Sequence, residues 1–385
     1  MFHYLKFFHY YVIVLLGCVC LLFADYFILI GFTVFTSIYV IGDTLLGDDT
    51  STPILTNKLI INAMLYGSGP LSGILLLIAV WLVTPYEWAF MANFSEWIGY
   101  DFVQAKQNTG LFELAVAVLF CGLMLSGIAT VVGHELVHRI GKNKDVCFGR
   151  WLMSLTLDAN FSIEHVYNHH AKVATEADSA TAPRGRNVYV HTVYAVIGTN
   201  KSAWNTEKSR LTRKKQAVLS YHNKVIRGWF MSIGYLLLVG AFAGWQGIVF
   251  LGLIGAAGKC FLEIVNYIEH YGLVRHPRQP VKPKHSWNSN RKISTWAMFN
   301  LPRHSHHHAQ GAVPFEELQP MPEAPMMISG YISTITIALI PPLWFYLMKP
   351  KLAQWDANFS NQEELDIIEK QKEKRRKRPM VALFY

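Results

Sequence analysis

The chain is most restricted by its succession of long apolar runs. A helix of about 20 apolar residues crosses the hydrocarbon core of a bilayer, where the backbone must satisfy its own hydrogen bonds. The stretch from Tyr10 to Leu46 is long enough for two such spans, 10–27 and 29–46, broken only by Asp25 and Gly31. Further spans are expected over 65–83, 111–131, 229–243 and 248–268, the last two separated by a tight turn at Gly244 to Gly247. This pattern predicts an all-α integral membrane protein, a six-helix transmembrane bundle forming one domain over residues 1–385. Composition agrees, because only 16% of residues are charged and 52% are hydrophobic, whereas soluble chains carry about a quarter charged residues. Disorder and a fibrous repeat are excluded, and so is a DNA-binding domain despite the net charge of +9.

Six spans bring both termini to one side. The segment from Arg139 to Arg227 holds well over a dozen Lys and Arg, while Pro85 to Gly110 sets Lys106 against Glu87, Glu96 and Asp101. The positive-inside rule therefore puts the basic segment and both termini in the cytoplasm. No small-residue cleavage site follows the first span, which is expected to be retained. The run from Met326 to Met348 is interrupted by Pro341 and Pro342 and is expected to lie at the interface rather than form a seventh span. The charged tail over 356–385 reads as a solvated helix near anionic lipid heads. Five scattered cysteines without a Cys-x-x-Cys pair leave the chain no iron-sulfur or rubredoxin-type carrier of its own.

Sixteen histidines are the anomaly, and most fall in four short clusters just past the cytoplasmic ends of expected spans, in the regions 132–228 and 269–325. The first is Gly-His-Glu-Leu-Val-His-Arg, with His134 and His138 four apart on one helix face. The second, Glu164 to His170, holds His165, His169 and His170; the third ends a span at His270; the fourth holds His304, His306, His307 and His308. Imidazole suits iron, zinc and copper. A zinc site is usually complete with four ligands, so about nine donors fit two metals of higher coordination number, and a dinuclear iron centre accounts for them better. Glu135 in second place of His-Glu-x-x-His also admits a zinc protease. A metal transporter is a third reading, which the clustering at one interface disfavours.

The four clusters resemble the histidine boxes of the membrane-bound alkane 1-monooxygenases, a family related to the xylene side-chain monooxygenases and the membrane fatty acid desaturases. The likeness extends through Asp43 to Asp49, Val173-Ala174-Thr175, Pro183-Arg184-Gly185, His285 to Asn290 and Pro341 to Trp344, and covers about Asp43 to Trp355. Carried over residue by residue, it implies iron ligands at His134, His138, His165, His169, His170, His270, His304, His307 and His308. It further implies two iron ions, dioxygen as co-substrate, and a place in a bacterial inner membrane. Electrons would come from a rubredoxin fed by an NADH- or NADPH-dependent rubredoxin reductase. The implied reaction is hydroxylation of the terminal methyl of medium- or long-chain alkanes to 1-alkanols. Methyl hydroxylation of alkyl aromatics, or a fatty-acid or lipid hydroxylase or desaturase, is the alternative. The sequence departs from the family pattern at His306, where an Asp is usual, and at Pro302, where a Gln is usual. Ligand ring N–H groups need acceptors around them, and Glu164, Glu269, Asp178 and His285 are the polar candidates, while Arg139, Lys142 and Lys144 are candidates for docking an acidic carrier.

Overall fold

The computed structural model describes residues 2–376; the end of the charged tail, 377–385, lies outside the described residues. Its long apolar helices are α1 (Phe2–Phe23), α2 (Phe27–Leu46) and α3 (Lys58–Val83). Two short helices, α4 (Ala89–Ile98) and α5 (Phe102–Asn108), cap one end of the bundle. There Tyr100 Oη donates to the Phe23 carbonyl and Thr84 Oγ1 to that of Phe242. Helix α6 (Leu111–Leu125) runs through a π-turn, Ser126–Val131, into α7 (Val132–His138), so the fourth span is one continuous rod of 28 residues that carries the first histidine pair on its end.

Beyond it α8 (Asn143–Ser154), α9 (Phe161–Glu164), a second π-turn (His165–His169) and α10 (His170–Lys172) fold across the other end of the bundle, followed by α11 (Val188–Arg213). Helix α12 (Lys224–His270) contains the fifth and sixth expected spans. It breaks at Gly244, whose φ of 61° and ψ of −158° lie where a side chain is strained. Ser232 on one limb and Lys259 on the other both bond to the 154–158 turn, so the limbs run back alongside each other. Where α6 meets α12, a Cβ on Gly122 would come within 3.1 Å of the Gly258 nitrogen, so the missing side chain lets two backbones touch.

The remaining elements cover the histidine end: α13 (Lys292–Ala297), α14 (His304–Ala309), α15 (Tyr331–Ala338), α16 (Pro341–Asn358) and α17 (Gln362–Arg376). The apolar run over 326–348 forms the pair α15 and α16, bent by 117° at the prolines. Five helices are long and apolar enough to cross a membrane, and the break in α12 divides the last into two spans. Outward residues such as Leu237, Phe242 and Leu253 are exposed, as lipid-facing positions should be.

The spans run further toward the histidine end than their hydropathy alone suggests. The first begins at His3 rather than Tyr10 because the Lys6 ammonium is buried against Asp49 at 2.9 Å. The acidic C-terminal end of α2 has a second anchoring role. Asp43 accepts from the Ser294 backbone N–H and hydroxyl at 3.0 and 2.5 Å, which ties α13 to the bundle.

Candidate metal centre

Four separate pieces of chain bring the nine histidines together. His134 and His138 stand one turn apart on α7. His165, His169 and His170 lie on the π-turn and the residue after it, where the backbone N–H of His170 bonds the carbonyl of His165, five residues back. A π-turn puts residues i and i+5 on one side, so His165 and His170 share a direction and His169 swings away. His270 ends α12, and α14 supplies His304, His307 and His308.

The rings sort into two groups. Ligating nitrogens of His134, His138, His165, His170 and His307 all lie within 4.8 Å of one another. In this group His134 Nε2 is 2.8 Å from His165 Nε2 and 3.1 Å from His307 Nε2, and His170 Nε2 is 3.0 Å from His165 Nε2. The second group is His169, His270 and His308, joined by His304, whose Nε2 is 3.2 Å from that of His270 and 3.2 Å from a Glu269 oxygen. Stacked rings of His170 and His308, 4.5 Å apart, adjoin the two groups. All nine are buried except His138 and His170, which are half-buried.

These residues fit metal ions. Nitrogens crowded on a common point repel if protonated, and burial first, then neighbouring ring charge, holds His165, His170, His304, His307 and His308 well below their ordinary values. They are neutral donors at physiological pH, the form a metal requires. Buried His138 Nε2, His169 Nε2 and both His308 nitrogens have no protein partner, a costly arrangement that a shared cation relieves.

The surroundings hold some of these histidines firmly. Asp178 Oδ2 lies 3.0 Å from His169 Nδ1 and accepts from the Thr181 hydroxyl at 2.6 Å; burial opposes its charge, but His169 and Thr181 hold it at about 2. Asp178 thus fixes the tautomer that leaves His169 Nε2 for a metal. Replacing Asp178 with Asn is expected to lower metal retention at the second group, and turnover with it, by about 10–100-fold. Metal content and turnover of the purified variant check this, and unchanged values of both would contradict it. Glu269 accepts from Tyr331 Oη at 2.7 Å. Glu164 is buried and pushed up to about 8, by burial first and then by the Asp178 charge.

Other expected roles fall differently. The His285 ring faces away from the histidine groups, bonded to Glu364 at 2.9 Å and to the Lys282 backbone N–H at 3.0 Å. Arg139 is used internally, paired with Glu135 and Asp145 at 3.2 Å each, whereas Lys142 and Lys144 are exposed. Glu135 also accepts from the Phe315 backbone N–H, so its carboxylate is committed to structure and not aimed at a metal-bound water as a zinc protease needs. His306 joins neither group, because its Nδ1 accepts from the Gln319 backbone N–H at 3.2 Å. Replacing His306 with Asp should leave metal content and turnover unchanged, and Ala there should cost about 1 kcal/mol of stability, read as a lower unfolding temperature. Loss of metal from the Asp variant would instead make His306 a ligand.

Sequence reasoning missed Arg303. Its fully buried guanidinium donates to the carbonyls of Leu318, Asp49 and Ser51 at 2.5, 3.1 and 2.8 Å, fixing the start of α14. The signal was available as an arginine next to a histidine box beside an apolar bundle, a charge that must be satisfied from within.

From His134, His165, His304 and Glu269 a narrow cavity of about 90 Å³ rises into the bundle between α1, α2, α6, α12 and α15. Its walls are almost wholly apolar, including Phe35, Leu123, Phe261, Met298 and Ile335, with Tyr10 and Tyr39 on one side. The π-turn at Ser126–Val131 forms one wall.

The sequence is similar to known proteins. The family model described as fatty acid desaturase matches residues 112–326. The alkane 1-monooxygenase of Pseudomonas putida is 33% identical over 287 residues, 72% of this chain and 68% of that protein. Alkane 1-monooxygenase 2 of Alcanivorax borkumensis is 38% identical over 232 residues, 58% of this chain and 60% of that protein. The xylene/toluene monooxygenase hydroxylase component XylM of Pseudomonas putida is 34% identical over 279 residues, 68% of this chain and 72% of that protein. A membrane bundle with its histidines gathered at one end and this degree of likeness lead to one assignment: the chain belongs to the alkane 1-monooxygenase family of membrane oxidoreductases.

Proposed function

We propose that this chain is a di-iron monooxygenase that hydroxylates the terminal methyl of medium- or long-chain alkanes to 1-alkanols, with its active site and both termini facing the cytoplasm of a bacterial inner membrane. The observation that carries the proposal is the apolar cavity ending on the two histidine groups. An alkyl C–H bond offers no acidic proton, leaving group or electrophilic carbon, so side-chain acids, bases and nucleophiles cannot open it. Two irons held by the five-histidine and four-histidine groups would supply the redox chemistry and dioxygen binding that such a bond requires. Overall, one alkane, one dioxygen, two electrons and two protons give one alcohol and one water.

The protein's own residues bind, align and exclude water. Phe35, Phe261 and Ile335 strip water from the chain and leave its last carbon nearest His134 and His304. Alignment of this kind is worth a large part of a barrier, because the reacting atoms no longer search for each other. Asp178 holds the His169 ring N–H, and Tyr331 fixes one oxygen of Glu269. Electrons are proposed to come from rubredoxin and its NADH- or NADPH-dependent reductase. Exposed Lys142 and Lys144 support docking of an acidic carrier at that end.

Product analysis tests the reading. Membranes holding the protein, supplied with rubredoxin, its reductase, NADH and a mixture of octane, hexadecane and p-xylene, should form primary alkanols. Methylbenzyl alcohol alone would move the assignment to alkyl aromatics, the substrate class suggested by the likeness to the xylene/toluene enzyme. No oxygenated hydrocarbon from an iron-loaded protein would overturn hydrocarbon hydroxylation.

A further inference from the structure

On the outer side of the segment that carries His165 to His170, a second pocket of about 600 Å³ opens between α8 and the first turn of α12. Three cationic side chains line it, Arg150, Lys224 and Arg227, and no carboxylate does. Arg150 is only 8% exposed, donates through Nη2 to the Lys224 carbonyl at 2.6 Å, and keeps its buried Nε without a partner. Arg227 Nε is likewise buried and unpartnered, and its guanidinium lies 5.3 Å from the centre of the Tyr221 ring. Among the described residues none of the three side chains pairs with a carboxylate. Glu207 accepts from the Lys224 backbone N–H but is already gripped by the Arg210 guanidinium through two bonds of 2.7 Å. Burial first, then the like charge of Arg227, lowers Arg150 to about 10.

Depth and wall chemistry identify what such a pocket takes. Lys224 begins a membrane-spanning helix, so the cations stand at head-group level. Exposed Trp151, Tyr221 and Phe230 belong to an aromatic rim of the kind that sits at a bilayer interface. Apolar wall continues from the cations along Phe230 and Met231 toward the hydrocarbon. An inorganic anion would use the cations and leave that wall bare. Basic pockets between transmembrane helices are suited to anionic head groups with their chains attached.

We propose that this pocket binds the phosphodiester head group of an anionic glycerophospholipid, with Arg150, Lys224 and Arg227 around the phosphate and the acyl chains along Phe230. The bound lipid fills the space behind Ile163 and Tyr167 and so braces the segment that carries three of the metal-binding histidines. This site is separate from the hydrocarbon cavity and stands or falls independently of the substrate.

The test titrates detergent-purified protein with phosphatidylglycerol, phosphatidylcholine or inorganic phosphate and counts bound molecules by native mass spectrometry. Wild type should hold one phosphatidylglycerol in preference to phosphatidylcholine. Lys224→Gln combined with Arg227→Gln should weaken phosphatidylglycerol at least about tenfold and leave phosphatidylcholine unchanged, while Lys224→Arg with Arg227→Lys restores binding. If the neutralised pair does not fold, Lys224→Gln alone suffices, since its side chain makes no hydrogen bond among the described residues; about a fivefold loss is expected. Equal binding of the two lipids by wild type, or undiminished phosphatidylglycerol binding by the neutralised variants, would overturn the site. Inorganic phosphate binding as tightly as the lipid would assign the pocket to a free anion and overturn the lipid assignment.

Discussion

Replacing His270 with Ala is expected to give a folded, membrane-inserted protein that keeps the metal of the five-histidine group, loses the other, and has turnover reduced by more than about 100-fold. His270 is wholly buried and its Nε2 is 3.2 Å from that of His304, so it stands at the centre of the second group. Removing an outer residue that merely orients a metal ligand costs about 10–100-fold; removing the ligand itself should cost more. The damage should stay local, because none of the five histidines of the first group depends on His270. Metal analysis and turnover of the same preparation decide it. Full metal content with full activity would remove His270 from the site, and loss of both metals would mean that the groups are not independent.

The second large effect concerns stability. Lys259 is buried between Asp158 at 2.6 Å and Glu263 at 2.7 Å, and Glu263 also accepts from Asn266 at 2.9 Å and from Thr199 at 3.3 Å. One cation therefore holds together α12, α11 and the turn that leads into the second histidine cluster. Lys259→Met is expected to cost about 3–5 kcal/mol, because two carboxylates remain buried without their counter-charge. Replacing Lys259, Asp158 and Glu263 together with apolar residues of similar size should cost much less, since no orphaned charge is left. Unfolding temperatures of the two variants in one detergent measure the difference. A single variant as stable as the wild type would show that the network is hydrated rather than buried.

Much of this was legible in the sequence, and the reasons are physical. Hydrocarbon imposes a length on a spanning helix, so the apolar runs revealed the bundle, and the glycine before the last span revealed the break at Gly244. Imidazoles clustered just past apolar runs are unusual, so the four histidine clusters stood out in the sequence, and the structure gathers them at one end of the bundle. Their partition did not. Spacing of four on an ideal helix pairs His165 with His169, but the π-turn pairs His165 with His170 and sends His169 to the other group. A π-turn follows from tertiary contacts rather than local propensity, and no residue pattern announces it. Nor could spacing tell that His306 would turn to the Gln319 backbone, or that Arg139 would be consumed by Glu135 and Asp145. Such side chains are committed by groups distant in sequence or by a loop geometry that hydropathy does not encode.

The proposed centre is a pair of irons held by nine histidines at the foot of an apolar cavity. Its most direct test is iron quantification on the purified protein, joined to X-ray absorption at the iron edge. Two irons per chain in a nitrogen-dominated coordination shell are expected, falling to one in the His270→Ala variant. A single zinc per chain, or iron bound mainly by oxygen ligands and unaffected by that substitution, would contradict it.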